Sequence, residues 1–342
     1  MPKLKLGIVN ITSMKMSYGG IAPFVKNLDP YMQEAYDVDY IVLPEFLVRI
    51  SIIPQRFIFL VYMLWKKRRL KRFDFILSHT PEGSYVTSFC KVPFIHIFHG
   101  NSNPMSRSRY WYGKYFSSVY EMIDKRIRSK AIRMYTVGVE KQGVSKIFNP
   151  VLHSVKIKDK SARSGFIFSG RLENVKNIDR LIRIYANLPE CVQNENLFYI
   201  AGTGTLASAL KKQVTSLGLS DRIIFLGELK NEDMIEANST KKILLMASSL
   251  EGMPMAIAEA LSVGIPVVST DVGDIARIIR NQENGFLLPL DYEDEEYLQC
   301  INSILSDYTR FADNAFATSE VFRSEKVASS LISDINQLAQ KN

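Results

Sequence analysis

Short runs of apolar residues alternate with helical patterns along the whole chain. In the first half, the runs predict strands over 4–11, 38–43, 73–78, 94–98 and 134–137. In the second half, they predict strands over 165–169, 197–201, 222–226, 243–247, 266–270 and 285–288. Amphipathic helical patterns lie between them, for example over 177–188 and 206–217. Strand–helix alternation indicates parallel sheets with helices on both faces, so the predicted fold class is α/β.

The pattern divides the chain into two domains. Residues 151–163 include four basic side chains and have no clear periodicity, which indicates a linker. We predict domains over 1–150 and 164–323, followed by a C-terminal amphipathic helix over 324–342. In open parallel sheets, ligands bind beyond the carboxyl ends of the strands, so the chemistry is expected in the loops that follow strands.

Charge is distributed unevenly between the two halves. The net charge is +8, yet residues 1–150 carry 23 Lys and Arg against 10 Asp and Glu, and the remainder carries 20 against 25. The basic half is therefore expected to meet an anionic partner, such as a membrane surface, nucleic acid or a phosphate-bearing substrate. The cysteines Cys90, Cys191 and Cys300 lie about a hundred residues apart, a spacing that predicts a reducing compartment and no metal knuckle.

The apolar runs are too short to cross a membrane. The longest covers 57–65, nine residues, whereas a bilayer span needs roughly 20. The first residues predict a strand directly, with no apolar stretch of signal-peptide length. We therefore expect a cytoplasmic protein.

The most informative segment is 248–266, which follows a predicted strand. Pro254 suits a helix start and Gly264 a helix end, which places Glu251 in the preceding loop and Glu259 about one and a half turns into the helix. Two such glutamates alone are more often an acidic helix cap and a surface side chain. The apolar neighbours of Glu259 argue for a specific partner, because carboxylates are rarely buried without one.

Glu251 and Glu259, separated by seven residues, resemble the E-x7-E signature of retaining glycosyltransferases of family GT4. The order and spacing of further motifs agree with that family along nearly the whole chain, with Ala247 as a departure where the family often has Pro. The resemblance implies the GT-B architecture, in which two Rossmann-like domains face each other and the C-terminal helix returns to the first. The further motifs are Gly19-Gly20, the strand ending at His99, Asn149-Pro150, Gly170-Arg171 with Lys176-Asn177, Gly202-Thr203-Gly204, and Gly227.

The resemblance also implies a role for the candidate site residues. Arg171 and Lys176 would neutralise the donor diphosphate, and Glu259 would accept the ribose hydroxyls. Glu251 would contact the donor sugar and His99 would position it, although a lone histidine is more often structural, as we expect for His79 and His96. The remaining implied donor contacts are Gly19, Gly20, Gly202, Gly204, Gly227, Leu229, Gly252 and Met253.

The implied activity is transfer of a sugar, with retention, from a nucleotide-sugar on the second domain to an acceptor on the first. We expect a lipid-linked or surface-polysaccharide acceptor and neither a metal nor another cofactor. Residues 57–72 combine apolar and aromatic side chains with six cations, as 107–116 do more weakly. This mixture favours peripheral binding to the anionic inner face of the cell membrane over binding to nucleic acid. The alternative is an ordinary helix with a solvated basic end.

Three other interpretations compete with this one. Gly202-Thr203-Gly204 with Asp221 also matches a dinucleotide fingerprint, so an NAD-dependent oxidoreductase is the main alternative, although the motif follows the second strand of its domain. A non-catalytic membrane- or RNA-binding protein and an epimerase of the same fold are the others.

Asp37 and Asp39 match a D-x-D metal motif, but they lie at the start of a strand, so we predict no metal there.

Overall fold

The computed structural model describes residues 3–11, 21–48, 54–99, 117–137, 142–151 and 159–340. The chain forms two compact units, one of residues Met1–Pro150 with Ser324–Asn342 and one of Val151–Arg323. Each unit contains a six-stranded parallel sheet. The predicted α/β class is confirmed.

The first unit is built from six strands and the helices between them. The strands are β1 (Lys5–Val9), β2 (Asp37–Ile41), β3 (Phe75–Ser78), β4 (Phe94–Phe98), β5 (Arg133–Thr136) and β6 (Ser145–Lys146). Their order in the sheet is β2-β1-β3-β4-β5-β6. The helices are α1 (Ile21–Ala35), α2 (Glu45–Val48), α3 (Gln55–Trp65), α4 (Lys67–Leu70), α5 (Pro81–Thr87) and α6 (Ser117–Lys130).

Both faces of this sheet are buried. Ile8 and Val9 are neighbours on β1, yet they belong to different hydrophobic clusters, because successive strand residues point to opposite faces. Phe24 of α1 packs in the cluster of Ile8. Phe59 of α3 and Val86 of α5 pack with Val9 on the other face. Burial on both faces explains why the strands appear in the sequence as continuous apolar runs.

In its described residues, the second unit repeats this design with six strands and seven α-helices. The strands are β7 (Phe166–Ser169), β8 (Phe198–Ala201), β9 (Ile223–Gly227), β10 (Ile243–Leu245), β11 (Val267–Thr270) and β12 (Gly285–Leu288). The helices are α7 (Ile178–Ala186), α8 (Glu190–Glu195), α9 (Ala207–Ser216), α10 (Asn231–Ser239), α11 (Met255–Ser262), α12 (Asp294–Ser306) and α13 (Tyr308–Ser319). Short 3-10 turns cover Lys160–Ala162, Asn174–Lys176, Ile275–Arg277 and Glu320–Phe322.

Strand order in the second unit creates a topological switch point. The order is β12-β11-β10-β7-β8-β9, so the chain builds outward from β7 in one direction and then returns to build in the other. Crossovers to strands on opposite sides direct the helices that follow β7 and β10 to opposite faces of the sheet, and ligands of such sheets bind where the two loops begin. The predicted site residues of this unit follow these strands.

The last helix, α14 (Ser324–Ala339), belongs to the first unit. Leu331 and Ile335 are buried in the same cluster as Phe24 of α1. Tyr36 Oη, at the end of α1, donates to the Ile332 carbonyl at 3.1 Å. The predicted return of the C-terminal helix to the first unit is therefore what the structure shows.

Three details differ from the sequence-based boundaries. Strand β6 was not predicted, because two residues, Ser145–Lys146, carry no periodic signal. The second unit begins at Val151 and not at 164, since the Val151 N–H donates to the Phe322 carbonyl at 2.8 Å. Arg163, assigned to the linker, is 2% exposed and caps the end of α11 through the carbonyls of Val263 and Gly264. Among the described residues, no helix is both long and apolar enough for a bilayer span.

Candidate active site

The switch point of the second unit joins two of the predicted site residues. Lys176 lies in the loop after β7 and forms an ion pair with Glu251, in the loop after β10. The side chains are only 14% and 9% exposed. Ser248 Oγ donates to the same carboxylate oxygen of Glu251 at 2.7 Å. The two charges, distant in sequence, therefore form one partly buried polar centre.

Hydrogen bonds fasten the two loops to each other. The Ser249 N–H donates to the Val175 carbonyl at 2.8 Å. Asn177, in the left-handed region at φ 48°, donates through Nδ2 to the Ala247 carbonyl at 2.8 Å. Thr270 Oγ1, at the end of β11, donates to the Ser248 carbonyl at 2.6 Å. Hydrogen bonds to backbone carbonyls therefore connect the loops after β7 and β10 and the end of β11 around the ion pair.

Arg171 lies in the same loop as Lys176 but is much more exposed. Its side chain is 72% exposed and pairs with Glu173 at 2.9 Å. Exposed pairs of this kind contribute little free energy, so the guanidinium can exchange Glu173 for an anionic ligand without a large penalty.

Gly202 and Gly204 have a structural explanation. A Cβ atom on Gly202, at φ 137°, would lie 1.9 Å from the Gly170 carbonyl oxygen, and one on Gly204 would lie 2.4 Å from the Leu172 carbonyl oxygen. The Leu172 N–H donates to the Thr203 carbonyl at 2.9 Å across the same contact. These glycines therefore allow the loops after β7 and β8 to touch, whereas their predicted donor contacts stay a prediction.

Glu259 is a buried carboxylate in α11. The helix begins at Met255, after Pro254, so Glu259 lies just over one turn inside, slightly nearer the start than expected. The residue is 8% exposed, and in the described part of the chain its carboxylate has no hydrogen-bond or ion-pair partner. Burial raises the pKa of Glu259 to about 7. A desolvated carboxylate without a protein donor is suited to accept hydrogen bonds from ligand hydroxyls.

The start of α11 leaves room beside the ion pair. Pro254 precedes the helix as its N-cap residue, and its side chain makes no capping hydrogen bond to the first N–H groups. A Cβ atom on Gly252 would meet no atom within 4 Å, whereas one on Gly273 would lie 2.4 Å from the Glu251 carbonyl oxygen. Gly273, at φ 65°, was not predicted, because only the structure shows that the loop after β11 presses against Glu251.

The other predicted site residues of this unit lie at the end of β9 and just before α11. Gly227 ends β9 at φ 70°, and its carbonyl accepts the Gly202 N–H at 2.7 Å. Leu229 follows and is partly buried. Met253 is buried between Gly252 and Pro254.

The first unit contains a histidine pair. His99 follows β4, and its Nε2 lies 2.9 Å from Nδ1 of His79, which follows β3. Phe24 contacts both rings edge-on. Desolvation lowers the pKa of His99 to about 3 and that of His79 well below its usual value, so both rings are neutral. Sequence patterns do not couple His79 to His99, because only the pairing of β3 with β4 brings them together. The predicted contacts Gly19 and Gly20 lie outside the described residues.

Other polar candidates have structural partners. His96 Nδ1 lies 2.7 Å from Ser84 Oγ in the buried sheet, in keeping with a structural role. Asp39 pairs with Arg69 at 2.6 Å near the start of β2. Within the described ranges, no group of three His, Cys, Asp or Glu residues is arranged to hold a metal ion.

Comparison with solved structures defines the fold as that of the GT-B glycosyltransferases. Sucrose-phosphate synthase from Thermosynechococcus elongatus matches 99% of this chain and 100% of its own, with a TM-score of 0.81 and 16% identity. HepE from Anabaena, in complex with UDP-glucose, matches 98% of this chain and 100% of its own, with a TM-score of 0.71 and 17% identity. At such identities the likeness shows the fold alone.

Sequence comparisons point in the same direction. Residues 154–318 match the family model described as "Glycosyl transferases group 1", so the predicted resemblance is confirmed. The Escherichia coli O-antigen biosynthesis glycosyltransferase WbnH is 27% identical over 219 residues, which cover 63% of this chain. The lipopolysaccharide 1,6-galactosyltransferase of Escherichia coli is 31% identical over 167 residues, 45% of this chain. The matches span 60% and 44% of those relatives' own lengths.

Proposed function

We propose that this protein transfers a sugar from a nucleotide-sugar donor to an acceptor. The observation that carries the proposal is the Lys176–Glu251 pair at the switch point, with the buried carboxylate of Glu259 in the helix that follows. Both relatives named above are glycosyltransferases, and one of the two structures is sucrose-phosphate synthase. HepE is described in complex with UDP-glucose, which supports a nucleotide-sugar here too.

The donor would replace the contacts that the site residues now make. Lys176 would exchange the Glu251 carboxylate for the diphosphate, and Glu251 would accept hydrogen bonds from sugar hydroxyls. Arg171 would leave Glu173 and neutralise the same diphosphate. This exchange leaves no buried charge without a partner, which is the condition for a low barrier to donor entry. Glu259 would accept the two ribose hydroxyls.

We propose that the sugar is transferred with retention of configuration. In this step the bond from the anomeric carbon to the diphosphate oxygen breaks, and a bond from that carbon to the acceptor oxygen forms on the same face. The acceptor proton passes to the departing phosphate oxygen. Arg171 and Lys176 would stabilise the charge that develops on the diphosphate, which is the task a divalent ion performs in other enzymes. We therefore propose that the reaction needs no metal.

The acceptor would be a lipid-linked or surface-polysaccharide intermediate on the first unit. Support comes from the O-antigen and lipopolysaccharide relatives and from the excess of cations in residues 1–150. Five cations follow the apolar helix α3 closely: Lys66, Lys67, Arg68, Lys71 and Arg72. We propose that they hold the protein peripherally at the anionic inner face of the cell membrane.

The alternative of an NAD-dependent oxidoreductase has no support from these comparisons. Its fingerprint glycines, Gly202 and Gly204, are required by the close approach of Gly170 and Leu172. They also follow β8 and not β7, the first strand of the unit.

The direct test is a panel of UDP-, GDP- and ADP-sugars, with NADH as the competing ligand, measured as protection against thermal unfolding. One sugar nucleotide should protect the wild type, and Glu259→Ala should lose most of that protection because ribose contacts exist before the reaction starts. Glu251→Ala should lower turnover more than nucleotide affinity, since its contact lies at the transferred sugar.

Glu283→Ala is the matched control, because this glutamate of the same unit is 59% exposed and pairs with Arg280 on the surface. Protection by NADH alone, or wild-type binding and turnover in both site variants, would overturn the proposed function.

A further inference from the structure

Helix α3 is apolar on the side that faces away from the core. Phe59 and Met63 are fully buried against the sheet. On the opposite side, Phe57, Val61 and Trp65 recur every four residues and are 52%, 51% and 73% exposed. A surface helix usually places polar side chains on that face. An exposed apolar stripe of this length marks a contact with another apolar group.

This stripe forms one wall of a groove. Helix α2 forms the other, with Phe46 70% exposed. The groove has a volume of about 710 Å³, within the usual range for small-molecule sites. Its lining includes Pro44, Phe46, Phe57, Val61, Tyr62 and Trp65, and its polar side-chain groups among the described residues are the Tyr62 hydroxyl and the Lys66 ammonium.

One end of the groove is positively charged. Lys66 Nζ lies 4.0 Å from the centre of the Trp65 ring, at the point where the apolar stripe ends. Lys67 and Arg68 follow on α4. In the described part of the chain, Arg69 is the one cation between 66 and 72 that pairs with a carboxylate, that of Asp39. An apolar groove that opens onto unneutralised cations is complementary to a molecule with a hydrocarbon chain and an anionic head.

We infer that the groove between α2 and α3 binds one hydrocarbon chain of an anionic lipid, with its head group at Lys66. A polypeptide would bring backbone groups that need hydrogen bonds, and the groove offers almost none. A second copy of the chain in an isologous contact would bring the same cation cluster against itself. The inference concerns the first unit alone and needs no donor, so it stands or falls separately from the proposed transfer reaction.

Trp65 provides the signal for the test. The chain has two tryptophans, Trp65 and Trp111, so a Trp111→Phe protein reports on the groove alone. Dodecyl phosphate, below its micelle concentration, should change the fluorescence saturably and more tightly than dodecyl maltoside, which has the same chain and a neutral head. Removing two methylenes from the alkyl phosphate should weaken binding about tenfold if the chain is buried.

Two substitutions on the same helix separate the groove from general stickiness. Val61→Asp puts a carboxylate into the wall and should weaken dodecyl phosphate binding about tenfold or more. Leu64→Asp is the matched control, because Leu64 is also 51% exposed on α3 but does not line the groove. Circular dichroism and nucleotide protection should be unchanged in both variants.

The outcomes distinguish the possibilities. Loss of binding in Val61→Asp alone supports the groove. Equal losses in both variants, no dependence on chain length, or no saturable change in the Trp65 signal would overturn it.

Discussion

At the scale of single residues, Glu259 determines how the site should respond to pH. Burial raises the pKa of its carboxyl to about 7, and an ionised carboxylate accepts two hydroxyl donors better than a protonated one. Nucleotide affinity should therefore increase as the pH rises through about 7, as titration calorimetry at several pH values would show. In Glu259→Gln this increase should disappear. An unchanged pH profile in that variant would mean that another group controls binding.

The free protein should respond in the opposite direction. A carboxyl whose pKa is higher in the folded state keeps its proton while the unfolded chain, at about 4.5, releases it. The folded state therefore loses stability as the pH rises from about 4.5 to about 7, by on the order of 3 kcal/mol. Thermal unfolding at each pH, compared between the wild type and Glu259→Gln, measures this difference. A constant gap between the two proteins would contradict the shifted pKa.

The sequence identified the candidate site residues but not the contacts that they make with one another. Spacing placed Glu251 before a helix and Glu259 inside it, because local patterns determine helix starts. The pairing of Lys176 with Glu251 joins residues 75 positions apart and depends on β7 lying beside β10. The same applies to His79 and His99, which the order of β3 and β4 brings together. Contacts of this kind require the topology.

At the scale of elements, the contact between the β7 and β8 loops should be intolerant of any side chain. Gly202→Ala would force a methyl group into the Gly170 carbonyl and should lower the free energy of unfolding by roughly 2–4 kcal/mol. Gly218→Ala is the control, because Gly218 also has positive φ, 69°, but open space around its Cβ position. It should cost only about 1 kcal/mol. Equal effects in chemical unfolding would show that backbone strain, and not the contact, decides.

Most elements were predictable because their strands are buried on both faces. Such strands form continuous apolar runs, and the observed bounds fall within a residue or two of the predicted ones, as for β12 (Gly285–Leu288). The end of β10 differs because side chains bond to the carbonyls beyond it: the Met246 carbonyl accepts from the Tyr297 hydroxyl at 3.0 Å, and the Ala247 carbonyl accepts from Asn177 Nδ2 at 2.8 Å. Met246 and Ala247 continue the apolar run of β10, yet the strand ends at Leu245.

At the scale of the whole molecule, catalysis should persist in excess chelator. Arg171 and Lys176 provide the positive charge that the leaving diphosphate needs. Initial rates with the identified donor, measured with and without EDTA, give the answer. If EDTA abolished activity and magnesium or manganese restored it, the protein would need a metal site, and Asp37 and Asp39 would be its first candidates.

Attachment to membranes should depend on charge. Each cation near an anionic surface contributes about 1 kcal/mol, screened by salt. Flotation should recover the protein with anionic vesicles at low salt and not with neutral ones. A variant should lose this binding to anionic vesicles when Ser replaces four cations: Lys66, Lys67, Arg68 and Lys71. Arg69 is retained because it pairs with Asp39. An equally discharged control, with Ser at Lys26, Lys91, Lys125 and Lys130, should still float. Equal recovery of the protein with anionic and neutral vesicles would contradict charge-dependent attachment.

The position of α14 has a consequence for how the protein is made. The first unit buries Leu331 and Ile335 beside Phe24, so part of its core is encoded after the whole second unit. During synthesis, the sheet of residues 1–150 must wait, with one apolar face incomplete, until the whole second unit has left the ribosome. The second unit, continuous from Val151 to Arg323, has no such delay. Synthesis of the first unit thus begins before that of the second, but its core is completed only afterwards.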